Sequence, residues 1–144
     1  MQDTGLNGRY LKLEITESVF IENAKEAASI LSELKQLNVQ ICLDDFGTGY
    51  SSLSYLHQFP IDIVKIDRSF IYDMEIDVEK LEIVRAIVGL CHTLGIAVTA
   101  EGIETPQQRD ILQDLGCEYG QGHLFARATD GTTITCGLID FGLG

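Results

Sequence analysis

Basic residues are scarce in this chain. Ten Lys and Arg stand against 22 Asp and Glu, a net charge of −12, which denies it the basic surface with which proteins grip a DNA or RNA duplex. A phosphate-bearing ligand would need cations as mediators. The four cysteines, Cys42, Cys91, Cys117 and Cys136, include no Cys-x-x-Cys pair. Each lies in or beside an apolar segment, which reads as reduced, mostly buried thiols in a cytoplasmic protein. No apolar run approaches the roughly 20 residues of a membrane span, and the N-terminus lacks a basic region followed by an apolar core. What remains is a chain of 144 residues, 45% hydrophobic, long enough for one domain with its own core.

Strand-like and helix-like stretches alternate along it. Residues 10–16 alternate in polarity and read as a strand ending near Glu14 and Glu17. Asn23 with Glu26 predicts a capping box, followed by Ala24, Ala27, Ala28, Leu31, Leu34 and Leu37 at helical spacing. The apolar run 39–43 predicts a buried strand that opens at Asp44 and Asp45 into a tight polar loop containing Gly47, Thr48 and Gly49. A short helical turn near 53–57 precedes Pro60, and residues 61–67 read as a third strand. Asp77 is placed to cap a long helix with the apolar stripe Leu81, Val84, Ile87, Val88, Cys91 and Leu94, and Gly95 stands where a C-terminal glycine belongs. A fourth strand spans 96–100. Thr105, Pro106 and Gln108 then give a cap, an N1 proline and a capping-box glutamine, and the helix they start runs to Leu115-Gly116. A short fifth strand is expected within 119–125, and residues 128–144, rich in Gly and Thr, show no helical period.

Such alternation predicts an α/β fold with a parallel sheet and outer helices, either a barrel or a doubly wound sheet. Glu14, Asp44, Asp45, Lys65 and Glu101 all fall at or just beyond the C-terminal ends of successive strands, the active face of a barrel. Carboxylates converging on one rim repel one another unless cations sit between them. All-oxygen donors without a His-Cys cluster suit hard ions, so two Mg²⁺ or Mn²⁺ are expected, an arrangement suited to phosphodiester cleavage. Lys65 would orient the attacking water or neutralise phosphate charge. The plainer alternatives are solvated turn acids at Asp44 and Asp45 and a lysine snorkelling from a strand end. A barrel lyase or aldolase with Lys65 as a Schiff base is a remote third. His57, His92 and His123 are isolated, and Phe46, Tyr50 and Tyr55 could stack on a base or fill the core.

Five ordered motifs narrow the choice. Leu13-Glu14-Ile15-Thr16-Glu17-Ser18, Asp44-Asp45-Phe46-Gly47-Thr48-Gly49-Tyr50-Ser51-Ser52, Val64-Lys65-Ile66-Asp67, Ala100-Glu101-Gly102-Ile103-Glu104-Thr105 and Gln121-Gly122-His123-Leu124-Phe125 together resemble the EAL domain of bacterial cyclic di-GMP phosphodiesterases. The resemblance covers residues 1–127 as a partial domain, the second half of a modified (β/α)8 TIM-type barrel, and leaves 128–144 as an atypical tail of irregular or frameshifted sequence. It implies hydrolysis of cyclic di-GMP to linear pGpG with two Mg²⁺ or Mn²⁺ ions and inhibition by Ca²⁺. By motif, Glu14 and Asp44 would bind one ion, and Asp44, Asp45 and Glu101 the other. Lys65 would position the water and Glu101 would serve as base. Glu17 would hold the loop of Gly47, Thr48 and Gly49, while Glu104 and Gln121 would support the rim.

The departures carry expectations of their own. The signature Glu-Ala-Leu and a metal-binding asparagine of the family are absent, so the chain is expected to lack two metal ligands and to be inactive or weak alone. Met1 falls within what the family has as an internal helix, which reads as a truncation. A homodimer, or upstream sensor or cyclase domains in a longer parent that missing upstream segments could anchor to a membrane, would supply partners. The alternative is a non-catalytic EAL-like module that binds cyclic di-GMP or a protein.

Overall fold

The computed structural model describes residues 5–16, 18–48 and 53–129. Five parallel strands, β1 (Lys12–Thr16), β2 (Gln40–Phe46), β3 (Ile63–Ile66), β4 (Ala97–Glu101) and β5 (Tyr119–Gln121), lie in the order β1-β2-β3-β4-β5. Helices α1 (Ser18–Gln36), α2 (Leu53–Gln58), α3 (Arg68–Ile71), α4 (Val78–Leu94) and α5 (Pro106–Asp114) fill the connections. Spatial order that follows chain order decides between the two architectures. Successive right-handed crossovers that never reverse direction leave all helices on one face, whereas a doubly wound sheet needs a reversal. The sheet is also curved. Strands β1 and β5 would lie about 19 Å apart in a flat sheet, yet Lys12 Nζ of β1 sits 6.0 Å from the ring of Tyr119 on β5.

Period-two alternation sorts the strand residues between two faces. On the outer face Ile41, Leu43, Val64, Ile66, Val98 and Ala100 pack against Ala27 and Leu31 of α1, Val84, Val88 and Cys91 of α4 and Leu112 of α5 in one continuous core. On the concave face stand Cys42, Ile63, Lys65 and Thr99, all buried, with Lys65 beside Thr99 in the ladder. The predicted caps of the later helices are present. Asp77 accepts from the backbone N–H of Glu79 and Lys80, Gly95 closes α4 at φ 72°, and Thr105 and Gln108 form a complete capping box on α5.

Two expectations are corrected. Helix α1 begins at Ser18, not after Asn23. The spacing Phe20, Ala24, Ala27, Leu31 already continues the apolar stripe upstream, and a helix held by tertiary packing runs through a local cap signal. Strand β2 likewise continues through Asp44 and Asp45 to Phe46 instead of ending before them. The short helix α3 and a 3₁₀ turn at Gly8–Tyr10 carry no long apolar period and were not legible. Phe46 is buried in the core, which settles its role. Tyr50 and the tail 130–144 lie outside the described residues. Among the described residues no helix is long and apolar enough to cross a membrane.

Cys42, Cys91 and Cys117 are free thiols. Burial pushes the Cys91 thiol up to about 12 from 9.0, with Glu118 adding to the effect, and it pushes Cys117 up to about 11. A raised folded-state value favours the neutral thiol, so its contribution to stability is complete below 9.0 and is lost as pH rises toward about 12. Urea unfolding of the parent is expected to lose about 2 kcal/mol more than Cys91→Ala between about pH 8 and pH 10.5. Parallel pH profiles for the two proteins would contradict this.

Candidate metal centre and catalytic cluster

The site begins with an irregularity in β2. Its pairing with β3 runs Cys42↔Ile63, Leu43↔Val64 and then Phe46↔Ile66, so β2 carries one more residue than its partner. Asp45 takes φ 54°. In a regular strand adjacent side chains point to opposite faces; a bulge with one residue in the left-handed region turns both to the same side. One carboxylate oxygen each from Asp44, Asp45 and Glu101 consequently lie within 4.8 Å of one another. Gly47 follows at φ 96°, packed so closely on Phe70 that a Cβ there would meet its ring at 2.8 Å. Thr48 turns back, its hydroxyl and N–H both donating to the Asp45 carbonyl at 2.9 and 3.2 Å.

Lys65 of β3 points into this cluster. Its Nζ lies 2.6 Å from Glu101 Oε1, 2.9 Å from Asp44 Oδ1 and 3.2 Å from Glu14 Oε2. Burial alone would lower its pKa, but hydrogen bonds to Glu101, Asp44 and Glu14 outweigh that and hold it above the ordinary lysine value. The side chain is only 9% exposed, which removes the snorkelling alternative. Glu14 thus reaches Lys65 but does not belong to the close carboxylate triplet. Gln121 of β5 donates its amide to Glu101 Oε1 at 2.7 Å, while Asp44 Oδ1 also accepts from the Asp45 N–H. Among the described residues, Glu14, Asp44, Lys65, Glu101 and Gln121 therefore meet, with Asp45 beside them.

Glu104 is exposed and lines a cleft of about 410 Å³ with Arg68, Ser69, Tyr72, Lys80 and Gly102. Glu17 and Gly49 lie outside the described residues. His92, in the last turn of α4, pairs with Glu118 at 3.0 Å and is not part of the Asp44, Asp45 and Glu101 group. Asp67, the last residue of the Val64–Asp67 motif, caps α3 by accepting from the Ser69 N–H at 2.9 Å. Desolvation would raise its pKa, yet bonds from Ser69 and Arg68 hold it below the usual carboxylate range.

The donor chemistry fits a hard divalent ion. Four carboxylates face one ammonium, and oxygen-only ligands on strand ends suit Mg²⁺, Mn²⁺ or Ca²⁺ better than zinc.

The family model described as "EAL domain" matches residues 2–128. The cyclic di-GMP phosphodiesterase NbdA of Pseudomonas aeruginosa is 43% identical over 127 residues, which is 88% of this chain and 16% of NbdA. Among solved structures, the PaMucR phosphodiesterase complex with c-di-GMP superposes with TM-score 0.87 at 41% identity, over 92% of this chain and 54% of that one. Klebsiella pneumoniae BlrP1 in its manganese/cy-diGMP complex gives TM-score 0.81 at 36% identity, over 88% of this chain and 32% of that one. The chain thus spans about a sixth of its curated relative. With the family match nearly chain-long and the fold shared with the solved EAL domain of Mycobacterium smegmatis DcpA (TM-score 0.91 at 38% identity, over 97% of this chain and 63% of that one), this α/β chain with its barrel-like curvature belongs to the EAL domain family.

Proposed function

We propose that this chain contributes one side of a site that hydrolyses cyclic di-GMP to linear pGpG. The observation that supports this best is Lys65, held between Glu101, Asp44 and Glu14 beside the Asp44, Asp45 and Glu101 triplet. Two Mg²⁺ or Mn²⁺ ions, when bound, would supply charge neutralisation and polarise water and phosphate. Glu14 and Asp44 would hold one ion and Asp44, Asp45 and Glu101 the other. The Lys65 ammonium would orient the attacking water and offset charge growing on the phosphate, and the Glu101 carboxylate would accept the proton released. Gln121 keeps Glu101 turned toward Lys65, Glu17 would steady the Gly47-Thr48-Gly49 loop, and Glu104 would support the rim from the neighbouring cleft.

Two further ligands of the family's set would come from outside this chain, from preceding sequence or another subunit. Turnover of cyclic di-GMP by the chain alone is therefore expected to be slight. A chimera that adds the preceding part of a homologous EAL domain is expected to make pGpG with Mg²⁺ or Mn²⁺, to be inhibited by Ca²⁺, and to lose about 10³-fold in rate on Glu101→Ala. Robust turnover by the chain alone would refute its incompleteness but not its chemistry. A folded chimera that binds cyclic di-GMP in Ca²⁺ by calorimetry yet never cleaves it would instead make this a ligand-binding module.

A further inference from the structure

We propose that Glu75, acting through the buried amide of Gln108, is a positioning residue for Glu101. This rests on the phosphodiesterase reading of the Glu101 cluster. Gln108 is 4% exposed, and both ends of its amide are engaged. Its Oε1 accepts from the backbone N–H of Glu104 at 2.8 Å and of Thr105 at 3.2 Å, while its Nε2 donates to the Glu75 carboxylate at 3.3 and 3.2 Å. A buried amide donor without an acceptor is costly, so Glu75 fixes which way the Gln108 amide faces and thereby keeps its oxygen on the Glu101–Thr105 connection.

Position in the fold gives this tether its consequence. Glu75 lies between α3 and α4, on the segment that leaves β3, the strand of Lys65; Gln108 opens α5, on the segment that leaves β4, the strand of Glu101. The Glu75–Gln108 bond therefore spans the same pair of strand ends that Lys65 and Glu101 join at 2.6 Å. Those two segments also touch at Gly102, where a Cβ would meet Arg68 Cβ at 2.6 Å. On its other side the connection is held by Ile103, which donates to the Gln121 carbonyl at 3.1 Å and accepts from the Leu124 N–H at 3.0 Å. Release of the Glu75 side would remove the hydrogen-bonded hold on the Glu101 loop from the β3 segment, leaving the Gly102–Arg68 contact and the Ile103 bonds. The carboxylate also faces the N-terminal end of α5, where negative charge is favoured.

The test measures amide exchange at Glu104 and Thr105 by NMR and Mn²⁺ affinity by calorimetry on the full chain, with Glu82→Ala on the exposed face of α4 as the control. Glu75→Ala is expected to speed exchange at both amides about tenfold and to weaken Mn²⁺ about tenfold. Glu75→Gln, whose carbonyl still accepts from Gln108, is expected to restore both. Faster exchange with unchanged Mn²⁺ affinity would reduce the tether to a structural contact and overturn the proposal, as would Glu75→Gln behaving like Glu75→Ala. No Mn²⁺ binding by the unmodified chain would overturn the proposal, which needs an ion on this chain's own carboxylates, while Mn²⁺-dependent cleavage by the chimera tests the metal reading separately. Unchanged exchange alongside intact Mn²⁺ binding would overturn the positioning alone.

Discussion

Lys65→Met is expected to destabilise the fold by about 3 kcal/mol in metal-free buffer, and millimolar Mn²⁺ is expected to return more stability to the variant than to the parent. The ammonium is nearly buried and touches Glu101, Asp44 and Glu14, whose side chains are 15%, 23% and 48% exposed. Removing one partner of a buried ionic cluster leaves the others uncompensated, a cost of about 3–5 kcal/mol when all are dry. Glu14 and Asp44 retain some water, which places this case at the lower end. Methionine keeps the length and apolar stem of lysine, so lost packing contributes little. A divalent ion among the carboxylates would replace the missing charge. Urea titrations with and without Mn²⁺ measure the difference, and equal stabilisation of both proteins would mean that the ion does not bind at this cluster.

The residues that make this prediction possible were legible to different degrees. Strand ends, helix caps and the apolar stripes follow from spacing, and Asp77, Gly95, Thr105 and Gln108 behave as local chemistry dictates. The convergence of Glu14, Asp44, Lys65 and Glu101 followed from one rule, that parallel strands deliver their C-terminal residues to one rim. The bulge was hidden. Asp44 and Asp45 read as a loop because two adjacent acids seldom belong to a strand, yet the left-handed Asp45 lets both remain in β2 and share a face. The order of the strands was undecidable from alternation, since barrels and doubly wound sheets share it. Nor does any local pattern announce Glu75: its partner lies 33 residues away, and a lone acid after a short helix reads as solvated surface.

Gly122→Ala is expected to cost about 3 kcal/mol and to weaken Mn²⁺ binding as well. A Cβ at Gly122 would overlap the backbone of Ile103, including its carbonyl carbon at 2.7 Å. Ile103 is 2% exposed and bonded on both sides, to the Gln121 carbonyl and the Leu124 N–H, so it cannot retreat without giving up hydrogen bonds worth about 1 kcal/mol each. Its displacement would carry Gln121 with it and lengthen the 2.7 Å bond from the Gln121 amide to Glu101. Two neighbouring substitutions calibrate the result. Gly120→Ala meets the mobile Cδ1 of Ile103 at 2.5 Å and is expected to cost about 1 kcal/mol. Gly89→Ala, exposed on α4 with nothing within 4 Å, is expected to stabilise by about 0.5–1 kcal/mol through helix propensity. If thermal and urea unfolding rank Gly122→Ala with Gly120→Ala, the β4 and β5 loops are looser than this packing requires, and Gln121 does not depend on Ile103 to reach Glu101.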